Sequence, residues 1–214
     1  MSTIEKPKPH IYEYIMISLA LLVPVPGRLS YGLVLILEMN LLMLTGTLFC
    51  RFIHYLHFDA LQDMLVAVFL IFMSVLFKQF IILYSPLVAL TLGFQIYLPA
   101  VSSFILGNLY EAQMSSLLED VKKNMLRSGE FSLFAFIMFL FRDLFGYGSI
   151  SLPYPKGVLE LIFIKDFKYS FIGAFWASIP GALMFTALVV ILLSHIENKF
   201  DIIKTIKSEE EDAE

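Results

Sequence analysis

The twenty residues from Met64 to Leu83 contain one charged side chain, Lys78. A helix of that length rises about 30 Å, the thickness of a bilayer's hydrocarbon core, so the run reads as a transmembrane helix. One such run constrains the whole chain, because backbone at membrane depth must be helical or else be buried in protein. Composition agrees: 58% of the 214 residues are hydrophobic and 16% are charged, far more apolar than a soluble domain of this size. The chain is therefore expected to be an all-α, multi-pass membrane protein.

Six apolar runs emerge, at 11–23, 31–50, 61–83, 87–106, 131–145 and 171–195. They divide the chain into a polar segment, 1–10, a six-helix membrane domain, 11–196, and a charged tail, 197–214. A more polar stretch, 108–130, connects the fourth run to the fifth. The first run stops at Pro24-Val-Pro26-Gly27, where proline lacks a donor and restricts the residue before it. The fourth is interrupted by Pro99, followed by Ser102-Ser103 and Gly107. Interrupted helices in first and fourth place predict an inverted repeat of three plus three, with the irregular backbone buried or lining a polar path. No small-residue cleavage pattern follows Lys6 and Lys8, so no removable signal peptide is read. Of the Lys and Arg residues, nine fall on the N-terminal side of a six-span arrangement (Lys6, Lys8, Arg51, Lys122, Lys123, Arg127, Lys199, Lys204, Lys207) and six on the other (Arg28, Lys78, Arg142, Lys156, Lys165, Lys168). That bias predicts cytoplasmic termini.

Charge inside apolar runs marks the candidate chemistry. Glu38 lies within the second run and Lys78 within the third, and a pair between them or an ion path through the bundle would account for both. The plainer reading is that Lys78 snorkels to an interface and Glu38 bonds a neighbouring polar group. Arg142-Asp-Leu-Phe-Gly146-Tyr-Gly148-Ser149 closes the fifth run, with Arg142 and Asp143 expected to pair locally and the glycines to imply backbone that is closely packed or bent. His54, His57 and Asp59 read as an interfacial belt with the aromatics around them rather than as a metal site. In the connecting stretch, Leu117, Leu118, Val121 and Met125 form an apolar stripe opposite Glu119, Asp120, Lys122 and Lys123, the pattern of an interfacial helix by default, or of a docking surface for a partner subunit.

No Gly-rich phosphate loop, nucleophile elbow or carboxylate pair occurs, and the basic residues are too scattered for a nucleic-acid surface. Cys50 is the single cysteine, which excludes an internal disulfide and any metal site needing two thiolates from this chain. No catalytic residues, metal ligands or cofactor are assigned.

Four landmarks resemble the integral membrane subunits shared by the Rnf complex and the sodium-translocating NADH:quinone reductase, Nqr, especially the Rnf E and Nqr D type. Arg142 to Ser149 is similar to that family's Arg-Glu-Ile-Leu-Gly-x-Gly-Thr, and Ile179-Pro180-Gly181-Ala182 to its Pro-Pro-Gly-Ala. Leu92-Gly93 with Tyr97-Leu98-Pro99, and Gly107 with Glu111-Ala112, resemble the approach to and exit from its fourth helix. Leu22-Val23-Pro24, then Gly27, stands in the place of its Leu-Cys-Pro. The resemblance implies a six-helix subunit of the cytoplasmic (inner) membrane that pairs with a homologous subunit in inverted orientation, alongside other Rnf/Nqr-like subunits. Each partner in the family gives two cysteines to a shared 2Fe-2S cluster. Here Val23 replaces the first, and the second falls at Ser103 to Ile105; neither Val23 nor Ile105 can ligate iron, which such clusters bind through thiolates.

The expected function is thus a divergent Rnf/Nqr-type subunit of an electron-transport or ion-translocating complex, without cluster ligands of its own. A transporter or substrate-binding membrane component using the interrupted helices is the competing expectation.

Overall fold

The computed structural model describes residues 21–58, 61–102, 105–107, 109, 117–155, 157–162, 171–189 and 191. Most of the first apolar run, the end of the sixth and the charged tail lie outside them. The described residues are mostly helical, with a central helix α1 (Leu29–Tyr55) packed against α2 (Gln62–Tyr84) and α4 (Leu117–Tyr147). Between α2 and α4 come the short α3 (Pro86–Leu92) and two 3-10 turns, Gln95–Tyr97 and Pro99–Val101. A two-stranded hairpin, β1 (Ser149–Tyr154) and β2 (Gly157–Ile162), follows α4, and α5 (Phe171–Ala177) and α6 (Ile179–Val189) complete the described chain.

Two helices, α1 and α2, are long and apolar enough to cross a membrane, and a third span results if α3 and the bent segment after it count as one. Six spans are not shown among the described residues. α2 buries one narrow stripe, Gln62, Val66, Leu70, Ser74 and Phe77, and leaves most of its apolar surface outward. That is the surface expected of a helix facing lipid or another membrane chain, since outward apolar side chains carry no penalty in hydrocarbon.

Backbone chemistry sets the boundaries. α1 ends in the paired bonds of a Schellman turn, Phe58 N–H to Ile53 O at 3.3 Å and His57 N–H to His54 O at 3.1 Å, with His57 in the left-handed region at φ 59°. α3 starts on Pro86, which fits a helix's first position because its missing donor would be unused there. Gly93, at φ 55°, ends it. The interruption in the fourth run therefore falls at Gly93–Phe94, six residues before the expected Pro99, and the axis bends by 78° there. Pro99 instead opens a 3-10 turn. The sixth run also breaks, at Ser178: its amide and hydroxyl both bond Phe175 O, at 3.1 and 2.5 Å, and Pro180 lies in the first turn of α6.

The stretch expected to be a separate interfacial helix is continuous with the fifth run in α4, and the buried face differs from the apolar stripe. Leu117 and Leu118 are exposed, while Asp120, Asn124 and Ser128 are buried. The reason is α1, which offers polar partners along the contact. Asp120 lies 3.9 Å from Arg51, Asn124 Nδ2 donates to Thr47 Oγ1 at 3.0 Å, and Asn40 links Ser128 at 2.9 Å and Ser132 at 2.8 Å. Numbers fall along α1 as they rise along α4, so the helices are antiparallel, and the seam continues to Gly32 against Phe139.

Candidate functional site

Arg142 and Asp143, in the last turns of α4, are 1% and 0% exposed and organise a buried polar region. They do not pair with each other, contrary to the local pairing expected from their adjacency. Consecutive residues of a helix point about 100° apart, and each side chain reaches a different set of chain ends. The Arg142 guanidinium donates to Leu22 O at 3.2 Å and Val25 O at 3.1 Å, in the irregular segment before α1, and to Ala177 O at 3.3 Å, the last residue of α5. Helix ends leave carbonyls without partners and carry partial negative charge, so a cation among them satisfies both needs. Its Nε has no partner.

Asp143 does the complementary work. Its Oδ2 accepts from Leu29 N–H at 3.1 Å, the first amide of α1, and from the amide and hydroxyl of Ser151 at 2.7 and 2.5 Å. Ser151 Oγ in turn accepts the Ser30 amide at 3.1 Å, and the Tyr31 and Gly32 amides bond Arg28 O at 3.2 and 3.3 Å. All four amides that open α1 thus have acceptors, two of them supplied from across the fold. The carboxylate stands at the positive end of a long helix, where negative charge is favoured. Asp143 Oδ1 remains without a partner.

Small residues make this convergence possible. A Cβ on Gly146 would lie 3.0 Å from the Ala177 backbone, and one on Gly27 would lie 3.1 Å from Ala177 O and Arg142 Nε. Gly148, at φ 65°, ends α4 and turns the chain into β1. Gly181 sits where a Cβ would collide with Phe175 O, across the Ser178 break, while neighbouring Pro180 is exposed. The motif residues Arg142, Asp143, Gly146 and Gly148 are therefore brought together at one end of the bundle, with Gly181 close to the α5–α6 break beside them.

The two interrupted segments also meet. Gln95 Nε2, just past the Gly93 bend, donates to Pro24 O at 2.7 Å. Val23 and Ile105 are 4% and 0% exposed within the same apolar core. Their surroundings are those of packed aliphatic side chains.

Glu38 and Lys78 are not paired. Glu38 is fully buried and accepts a 2.7 Å bond from Ser74 Oγ on α2, with Oε2 left without a partner. Lys78, one turn after Ser74, turns its ammonium to the face of Tyr97 at 4.8 Å from the ring centroid. Each thus has its own neighbour, one turn apart along α2. His54 and His57 are exposed at the end of α1, Asp59 lies outside the described residues, and no group of three metal-ligating side chains occurs among those described.

The hairpin covers the end of the bundle that holds Arg142 and Asp143. Ser149 pairs with Ile162 and Tyr154 with Gly157, and the Gly157 carbonyl receives Ser85 Oγ at 3.5 Å, at the corner between α2 and α3. Glu160 forms an ion pair with Arg28, whose guanidinium also lies 4.7 Å from the centroid of the Tyr147 ring. Burial opposes the charge of Arg28, but the Glu160 hydrogen bond and charge, with Tyr147 and Tyr31, hold its guanidinium above the usual range.

Ser151, Gln95 and the polar seam were not singled out from the sequence. Asn124, Ser128 and Ser132 recur at four-residue spacing, a signal of one helix face, and Ser-Ile-Ser-Leu opens an alternating strand. Comparison with protein families, curated proteins and solved structures finds no match.

Proposed function

We propose that this chain is a six-helix scaffold subunit of the Rnf/Nqr type, working in the cytoplasmic membrane within an electron-transport or ion-translocating assembly and ligating no cluster itself. The observation that carries this reading is the junction at which Arg142 and Gln95 hold the two interrupted segments. These are the segments that the resemblance aligns with the family's broken helices. A membrane protein keeps irregular backbone at depth only where protein satisfies it, and here the side chains of a short motif do so. Val23 and Ile105 bring no donor atoms, so the scaffold is present without the ligands. In this reading the inverted repeat places both termini in the cytoplasm, and a homologous subunit in inverted orientation covers part of the outward apolar face of α2. Any enzymatic activity belongs to the assembly as an ion-translocating oxidoreductase.

Single cysteines at Phe72 or Phe80, both exposed on α2, test this in a Cys50→Ala background. Cross-linking in native membranes should yield an adduct with a second, homologous membrane subunit. Adducts with copies of this chain alone would count against the proposal.

Glu38 favours a second reading, a transporter or substrate-binding component, because a fully buried carboxyl with one unpartnered oxygen is a rare feature of a membrane helix. Uptake of an ion or small molecule in proteoliposomes that disappears in Glu38→Gln would support it, and uptake indifferent to Glu38 and Lys78 would remove its basis.

A further inference from the structure

We propose that the groove between α2 and α3 at Lys78 binds an anionic phospholipid of the surrounding bilayer, its phosphate on Lys78 and an acyl chain along the apolar wall. The groove has a volume of ≈ 710 Å³, within the range of about 300–1,000 Å³ typical of small-molecule sites. Ile82, Pro86, Leu87 and Leu90 form its apolar wall, and Gly93 and Pro155 also line it. Leu87 and Leu90 are 53% and 80% exposed, so the groove opens sideways from a helix of membrane length rather than into the core.

Lys78 is the one charged side chain among the described residues of that lining. It forms no ion pair with the described residues, and its ammonium rests against the Tyr97 ring, which leaves other directions of the ammonium open to an acceptor. Lys78 lies six residues before the end of α2, a rise of about 9 Å, and a lysine stem spans much of the remaining distance to headgroup level. Charge complementarity then selects the occupant. An ammonium at the mouth of an apolar groove attracts an acidic headgroup, as basic pockets between membrane helices do, whereas a zwitterionic lipid brings a second cation to the same place. Tyr97 fixes the ammonium, so the site is formed before the lipid arrives.

The proposal is independent of which assembly contains the chain. Its test is titration of the purified full-length protein in neutral detergent with short-chain phosphatidylglycerol, phosphatidylcholine or inorganic phosphate, read by native mass spectrometry and by the shift in unfolding temperature. Phosphatidylglycerol should bind and stabilise, phosphatidylcholine should bind at least about tenfold more weakly, and Lys78→Gln should weaken phosphatidylglycerol by about tenfold while Lys78→Arg retains it. Leu90→Trp, which keeps the charge and fills the groove, should also abolish lipid binding. Equal binding of the two lipids, an unchanged affinity in Lys78→Gln or in Leu90→Trp, or equal stabilisation by inorganic phosphate alone would each overturn the assignment.

Discussion

Replacing Asp143 measures how much the polar junction contributes to the fold. In Asp143→Ala, Oδ2 disappears and the buried amides of Leu29 and Ser151 lose their acceptor, while the Ser151 hydroxyl is free to rotate. Each unsatisfied buried amide costs about 1–3 kcal/mol, so two cost about 2–6 kcal/mol. Loss of negative charge at the start of α1 adds about 0.3–1 kcal/mol, and removal of a buried carboxylate returns part of the total. A net loss of about 3 kcal/mol is expected. Asp143→Asn keeps an acceptor oxygen in the same place and should lose about 1 kcal/mol, the charge assistance alone. An ordinary hydrogen bond between membrane helices averages about 0.6 kcal/mol, so the alanine value lies well outside that background. Reversible unfolding in mixed micelles, with wild type and both variants titrated in parallel, reads these differences. A loss below about 1 kcal/mol in the alanine variant, or equal losses in both, would refute the role given to this carboxylate.

Further substitutions probe the rest of the fold. Gly146→Val places side-chain atoms against the Ala177 backbone, 3.0 Å from the position of a Cβ, and should cost about 1–3 kcal/mol through overpacking, seen as a lowered unfolding temperature. A double-mutant cycle of Thr47→Val and Asn124→Leu should give a coupling of about 0.6–1.7 kcal/mol for the 3.0 Å bond between them, and zero coupling would remove the polar seam as a determinant of helix pairing. Glu38→Gln preserves the Ser74 bond and should unfold within about 1 kcal/mol of wild type, whereas Glu38→Lys buries a cation beside Ser74 and should prevent folding, as judged by monodisperse elution. Cys50 is 7% exposed, so maleimide should label it only after unfolding, and labelling of native protein would contradict the packing of α1.

The mostly helical character and the apolar helices able to span a membrane were legible because membrane thickness acts on every residue: a run such as Met64 to Leu83 has few alternatives to a spanning helix, whereas the β1–β2 hairpin departs from the all-α expectation. The glycines of the motif were legible as places of close packing or a bend: Gly146 lies against Ala177, and Gly148 turns the chain at φ 65°. The partners of Arg142 and Asp143 were not, because both bond mainly to backbone, and backbone acceptors have no sequence signature. Likewise the burial of polar positions on α4 was not legible, since Asp120, Asn124 and Ser128 look the same whether they face water or a complementary stripe on α1. The bend at Gly93 rather than Pro99 has a simple cause. A proline fits the first turn of a helical segment, whereas a glycine at positive φ leaves the helix outright.

Purification of the full chain from its native membranes in a mild detergent, with subunit stoichiometry by native mass spectrometry, tests the scaffold assignment most directly. A complex containing this chain and a homologous membrane subunit in equal numbers, together with other Rnf/Nqr-like subunits, is the predicted result. Recovery of the chain as a monomer or only with copies of itself, under conditions that keep other membrane complexes intact, would contradict it.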